Sequence, residues 1–486
     1  MKDILIITLG RLVTAGLSVA SLRVITEMFS PAEYGFYTIL IVFQVFCGLF
    51  LINPFGQYLN RNTHEWYECG CLNEKLLSYN YYILFFSVIG ALSVFWWSFF
   101  SSTITSSFLA AFAIFAIVYT GTWNATLIPL LNMLTYRKSA VICSIITSSL
   151  ALLLSSLLAR IFGSAFSWLL GQSIALLVGS MVAFFIYKRH LKNKNATNHG
   201  DKTTHESSFI TMRGLKLYVA PLAFSTMLLW FQSSGYRFVI ERIYGLELLG
   251  LLAVGFGLAN QLFGVAESLL MQILNPVFYR RISTASLEQG KLALCDLMSL
   301  LLPIYFLMAS VLLACASPLL TILVSKEYHN AVIFFYSGVM IELFRVVNSL
   351  ISNAAQLEMK MSKLISPNGL SCCVLIVIIM FSYNFDLTLE LSSLFYSLSG
   401  ICAVIASTVK MRKYISPAVI NSRVIFSFLL LCVIIISTFV NKTPLIESNT
   451  ILSAIFIIGT CFALSGVILF VLYKGYKPFS TFFCSK

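Results

Sequence analysis

Apolar residues run through this chain in long stretches that do not alternate with period two. Fourteen such stretches stand out, at 4–26, 36–59, 77–100, 106–132, 139–160, 165–187, 217–240, 248–277, 292–317, 331–357, 364–383, 391–409, 424–440 and 450–473. Each is about the 20 residues that an α-helix needs to cross the hydrocarbon of a bilayer. Backbone groups in lipid must be satisfied within the segment, so runs without alternation predict helices rather than a barrel. The longest hydrophilic gap separates the sixth run from the seventh. It begins Lys188, Arg189, His190, Leu191, Lys192, Asn193, Lys194 and continues rich in Thr, Ser, Asn and His as far as Lys216. The predicted organisation is a six-helix bundle at 1–190, a cytoplasmic linker at 191–215, a second six-helix bundle at 216–413, and two further helices with a tail at 414–486.

Composition agrees with this pattern. Of the 486 residues, 59% are hydrophobic and only 10% charged, where a soluble domain carries about 25%. The fold class is therefore all-α and polytopic. The net charge of +13 does not indicate nucleic acid, because the basic residues sit in short loops and form no surface module. It reports topology instead. With the N-terminus inside, 24 of the 32 Lys and Arg residues fall in cytoplasmic segments and four in outer loops, Arg160, Arg242, Lys326 and Lys442. Both termini are then cytoplasmic. The remaining four, Arg11, Arg23, Arg237 and Arg345, lie within helices or at their outer ends. Twelve cysteines are scattered, with only Cys69 and Cys71 close together and no His at zinc spacing, so no metal site is expected. The first apolar run lacks a small-residue cleavage site and reads as a retained helix.

An internal echo divides the chain. Arg23, Glu27 and Glu33 recur at one constant offset as Arg237, Glu241 and Glu247, and Asn53-Pro54 is matched by Asn275-Pro276. Six helices separate the copies, so the two bundles are expected to share one orientation about a pseudo-two-fold axis along the membrane normal.

Polar residues inside such helices need protein partners or water, since Arg or Asp at a helix centre costs roughly 2.5–3.5 kcal/mol. In the first helix, Thr8, Arg11, Thr14, Ser18 and Ser21 fall within an arc of about 140°. In the tenth, Glu342, Arg345, Ser349, Ser352 and Gln356 step along one face. Glu342 and Arg345, one turn apart, either neutralise each other or serve a site. The eighth helix offers Asn260, Gln261, Glu267, Ser268 and Gln272. Glu267 is as well placed for interhelical hydrogen bonding as for function, and Asp296, close to Lys291, reads as half of a local ion pair. Arg23 and Arg237 either snorkel or pair with Glu27 and Glu241, or form a cationic outer mouth.

The opening arrangement, Arg23 followed by Ser30-Pro31-Ala32-Glu33-Tyr34-Gly35-Phe36-Tyr37 after a polar first helix, resembles the bacterial polysaccharide flippases. These Wzx-type O-antigen and capsule transporters belong to the multidrug, oligosaccharidyl-lipid and polysaccharide (MOP) exporter group. The two six-helix halves, the basic central loop and the lack of large outer domains extend the resemblance over essentially the whole chain. Fourteen helices look more like the lipid II flippase branch, whereas the opening run looks closer to the polysaccharide group. The resemblance implies a bacterial inner-membrane protein, not an enzyme, that moves undecaprenyl diphosphate-linked oligosaccharide to the outer leaflet by alternating access. It also implies polymerase and other pathway proteins as neighbours. Arg forms bidentate bonds to phosphate oxygens, which makes Arg11 and Arg345 candidates for the headgroup, with Arg23 and Arg237 at the mouth. Glu267, Glu342 and Asp296 are candidates for coupling to H+ or Na+; no cofactor is expected. A multidrug exporter would favour aromatic residues and carboxylates for organic cations, and here the intramembrane charges are mixed. A membrane polymerase or ligase would be expected to carry a substantial outer loop or clustered catalytic groups, and the outer loops here are short and hold no His or paired-carboxylate constellation beyond Asp386 and Glu390.

Overall fold

The computed structural model describes residues 2–100, 107–134, 136–197, 223–224, 226–283, 287–357, 361–415, 419–441 and 450–474. Among them the chain is helical throughout, in the order α1 (Lys2–Met28), α2 (Pro31–Val45), α3 (Asn53–Glu68), α4 (Leu72–Phe100), α5 (Ser107–Met133), α6 (Arg137–Phe162), α7 (Ala165–Thr197), α8 (Arg237–Ser283), α9 (Leu287–Ala314), α10 (Ala316–Leu323), α11 (Val332–Leu357), α12 (Ile365–Asn384), α13 (Leu389–Met411), α14 (Ser422–Asn441) and α15 (Ile451–Tyr473). Twelve of the described helical segments are long and apolar enough to span a membrane. One of these, Thr226–Gln272, holds two of the expected helices, and Ser422–Thr438 is a shorter apolar helix. Each of the fourteen predicted runs thus has its helix. The expected linker lies, from residue 198 on, outside the described residues.

Local chemistry sets the breaks. Between α1 and α2, Ser30 adopts an extended conformation and its side chain accepts the Glu33 N–H, while Pro31 opens α2. The seventh and eighth runs are separated at Gly245, whose φ of 83° is open to glycine and strained for other residues. Gly163 closes α6 in the left-handed region, φ 61°, and donates its N–H to the Ala159 carbonyl. Between α2 and α3 the helix does not stop but widens into a π-helical segment, Phe46–Ile52. Pro54 lacks an N–H and its ring would press on the carbonyl four residues back. The Asn53 N–H accordingly reaches Gly48 O, five residues back. A second π-helical segment, Phe231–Gly235, precedes α8.

The chain forms two compact units, Met1–Glu247 and Leu248–Lys486. In the first, α4–α7 pack together with α1 against α6. Small residues allow the close approach: a Cβ on Gly171 of α7 would come 2.5 Å from Ser155 Cα of α6. Trp230, ahead of α8, belongs to this unit and donates from Nε1 to Val42 O at 3.2 Å. In the second unit α9, α11 and α13 form the centre, α12 lies on α13, and α14 and α15 pack on α9 and α10. Large apolar side chains such as Phe99, Phe185, Leu452 and Phe456 remain exposed on the units' exteriors. A lipid solvent, not water, suits such surfaces.

Candidate functional site

The second unit gathers three of the predicted site residues. On α11, Glu342 and Arg345 are one turn apart and their side chains meet, Arg345 Nε donating to Glu342 Oε2 at 2.6 Å. Arg345 also reaches α8, where a terminal guanidinium nitrogen lies 2.9 Å from Glu267 Oε2. The other oxygen of Glu342 accepts from Asn260 Nδ2 of α8 at 2.8 Å. Asn260 and Glu267, seven residues apart, occupy one face of that helix. Glu342 lies ten residues into α11, about 15 Å along its axis and so near the middle of a 30 Å hydrocarbon layer. Two carboxylates share one guanidinium, which leaves one negative charge in excess. The side chains of Glu342 and Glu267 are 10% and 18% exposed, that of Arg345 40%. The Tyr305 hydroxyl of α9 is buried within electrostatic reach of Glu267 and Arg345 and has no hydrogen-bond partner among the described residues.

The remaining predicted residues lie elsewhere. Asp296 on α9 pairs with Arg281 at 3.4 Å, while Lys291, the partner expected for it, bonds Glu288 at 2.6 Å. Lys291 and Glu288 are one turn apart and Lys291 and Asp296 are five residues apart, so the helix turns them to different faces. Arg23 is bonded to Glu27, its Nε and a terminal nitrogen both 2.7 Å from Oε1. Arg237 has a buried Nε without a hydrogen-bond partner among the described residues, within electrostatic reach of Tyr34. Arg11 is exposed on α1 and enters no ion pair among the described residues. Two hydroxyls of its polar stripe, Thr14 and Ser18, are turned onto the Arg11 and Ala15 carbonyls of their own helix.

The first unit holds a cavity that the sequence did not reveal, about 460 Å³ in volume, with Gln44, Gly48, Asn53, Tyr79 and Thr122 in its wall. Gln44 Oε1 is buried there without a hydrogen-bond partner among the described residues. The wall includes part of the π-helical turn of Phe46–Ile52, a geometry often found at functional sites. Gln44 within an apolar run, and Asn53-Pro54 at its end, were the available signals.

The Ser-Pro-Ala-Glu-Tyr-Gly run has a structural task. Ser30 and Pro31 start α2, and Glu33 Oε1 accepts the Ala165 N–H at 2.6 Å, placing a carboxylate at the start of α7.

No protein-family model and no curated protein matches the chain. Solved structures do. The chain is similar to the lipid II flippase MurJ in an inward closed conformation, with a TM-score of 0.63 and 14% identity over 96% of this chain and 97% of that one. It is also similar to an inward-facing multidrug resistance MATE family transporter of the MOP superfamily, with a TM-score of 0.52 and 10% identity over 89% of this chain and 96% of that one. A third match, a point mutant of the Vibrio cholerae MATE transporter VcmN, has a TM-score of 0.52 and 14% identity over 86% of this chain and 97% of that one. At these identities the likeness is one of fold.

Proposed function

We propose that the chain is a flippase for a polyprenyl diphosphate-linked oligosaccharide, carrying the headgroup between leaflets while the tail stays in lipid. The observation that carries this reading is the extent of the fold match. The flippase fold accounts for 96% of the chain, against 89% and 86% for the two MATE-transporter folds. No covalent bond needs to change in this work, so cationic groups that can receive a diphosphate are the chemical requirement. Arg11, exposed and without an ion pair among the described residues, and Arg237, with its unpartnered buried Nε, are the guanidiniums best able to serve. Arg23 is engaged by Glu27, and Arg345 offers a phosphate only the donors that its two carboxylates leave.

In this reading Glu342 and Glu267 take the coupling ion, H+ or Na+, and Arg345 is the internal cation that the ion displaces. Asp296, bonded to Arg281, lies in a separate pair. Polymerase and other glycan-pathway proteins at the same membrane would supply or consume the cargo.

One observation favours a second reading, an exporter of organic cations: the excess negative charge of the Asn260, Glu267, Glu342 and Arg345 group. Deleting the gene in its own host, with a plasmid copy as control, separates the two. Lipid-linked repeat units accumulating on the cytoplasmic leaflet, with surface glycan lost, support flipping. Unchanged glycan with raised drug sensitivity supports export. Units that reach the outer leaflet but stay unpolymerised would instead point to a polymerase.

A further inference from the structure

A second cavity of the first unit, about 500 Å³, lies among α4, α5 and α7 at the end where α7 runs into the basic stretch. Its polar groups are arranged in two tiers. At the helix ends, Asn73 Oδ1 accepts from Tyr187 Oη at 3.2 Å, and Lys188 stands beside it in the cavity lining, its Nζ 4.9 Å from the centre of the Phe184 ring. Seven residues further along the same face of α4, about 10 Å by helical rise, Asn80 Oδ1 accepts twice. Its donors are Tyr119 Oη at 2.8 Å and Trp123 Nε1 at 3.0 Å.

The second tier fixes the orientation of the amide. An indole nitrogen can only donate, so the atom it meets on Asn80 is the oxygen, and the NH2 group is turned away from it with two hydrogens to give. No described residue accepts from the Asn80 or Asn73 amide nitrogens. The cavity lining thus includes an ammonium and an amide donor at its rim and a second amide donor deeper, and no carboxylate among the described residues of its wall. Between and beside these donors the wall is mostly apolar, and the Thr120 and Ser180 hydroxyls that also line it donate to the Ala116 and Leu176 carbonyls of their own helices. Leu77 and Met181 line it and are 58% and 60% exposed, so it opens sideways through surface that faces lipid.

We propose that this cavity binds one anionic glycerophospholipid from the leaflet on the side of the basic stretch. Its phosphate rests on Lys188 Nζ and the Asn73 amide, and an ester carbonyl deeper in the bilayer accepts from the Asn80 amide. The acyl chain lies along Leu77 and Met181. Charge favours this occupant, since Lys75, Lys188 and Arg189 outnumber Glu74 at the ends of α4 and α7 that flank the cavity. The two tiers select it further. Free phosphate has no use for the deep donor or the apolar wall, and a polyprenyl phosphate has no ester carbonyl to reach Asn80.

The test uses the purified full chain in detergent with native mass spectrometry, titrating phosphatidylglycerol against phosphatidylcholine of equal chain length. One phosphatidylglycerol adduct is expected to persist at energies that strip the rest. Its occupancy should fall at least fivefold in Lys188→Gln and in Asn80→Leu, and survive in Lys188→Arg. Asn80→Leu also removes the acceptor for Tyr119 and Trp123, so its folding is checked by thermal melt. Lys188→Gln, at an exposed position, decides the matter if that variant melts early. Equal binding of the two lipids, unchanged occupancy in Lys188→Gln, displacement of the adduct by inorganic phosphate, or stronger competition by undecaprenyl phosphate would each overturn the proposal.

Discussion

Replacing Arg345 with Met tests whether the charges of the second unit act as one group. The substitution keeps the length and apolar volume of the side chain and removes its charge. With the guanidinium go two short ion pairs, 2.6 Å to Glu342 and 2.9 Å to Glu267. At an effective dielectric constant of 20 each attraction is about 6 kcal/mol. Desolvation of the three ions offsets most of this gain in the intact protein. In the variant, two carboxylates are left without a cation, and removing one partner of a buried pair costs about 3–5 kcal/mol. Arg345 is 40% exposed, so solvent screening lowers the expectation to roughly 2–4 kcal/mol. Adding Glu342→Gln to Arg345→Met should restore more than half of that loss, because the amide can still accept from Asn260 and carries no charge. Denaturant titration of the purified variants in mixed micelles would give the four stabilities of the cycle. A coupling between Glu342 and Arg345 below about 0.5 kcal/mol, the scatter expected of independent sites, would refute the reasoning.

Three further outcomes follow from local geometry. Glu33→Ala deletes the acceptor for the Ala165 N–H and the negative charge at the start of α7; it should cost about 1–2 kcal/mol in the same titration, whereas Glu33→Gln should recover part of this. Gly171→Leu would drive a Cβ to within 2.5 Å of the Ser155 backbone and should shift or abolish the folded peak on gel filtration, while Gly16→Leu on α1, with nothing within 4 Å of its Cβ, should not. Gly245→Ala puts a side chain at φ 83° and ψ 173° in open space, a region essentially restricted to glycine, so it should lower stability by about 1–3 kcal/mol through backbone strain alone, and Gly245→Asn by as much, because this is not the left-handed helical region that Asn tolerates.

Lipid makes the fold legible in this sequence to an unusual degree. A segment must satisfy its own backbone, so length and hydropathy locate helices without knowledge of neighbours. Gly245 illustrates this: the gap at 241–247, with Glu241, Arg242 and Glu247, separated two runs in the sequence, and the break in the continuous Thr226–Gln272 helical stretch falls inside it. The site was legible along helices but not between them. The spacing of Glu342 and Arg345 put them on one face, and that of Asn260 and Glu267 put those on another. Nothing in either period says that the two faces meet, or that Arg345 takes a carboxylate from each. Distance along the chain misled for Asp296, where nearby Lys291 turned to Glu288 and the bond came from Arg281 on the preceding helix. The Ser30 to Glu33 run suggested a family resemblance but gave no sign of a tie to Ala165, 132 residues on, because a capping partner leaves no periodic trace.

The wide turn at Phe46–Ile52 changes what an insertion or deletion does to this protein. In an α-helix each residue advances the chain by 1.5 Å and turns it by 100°. Losing one residue there would hardly shorten the rod, but would rotate everything beyond it by more than a quarter circle. Gln44 lies before the turn and Asn53 after it, and both sit in the wall of one cavity. Their shared outlook therefore depends on residue number as much as on residue type. The Tyr82 hydroxyl, donating to the Leu51 carbonyl at 2.7 Å, clasps the turn at that phase. A length change in this segment is a rephasing of the cavity wall, and a helical wheel drawn through it places one side of the pocket on the wrong face.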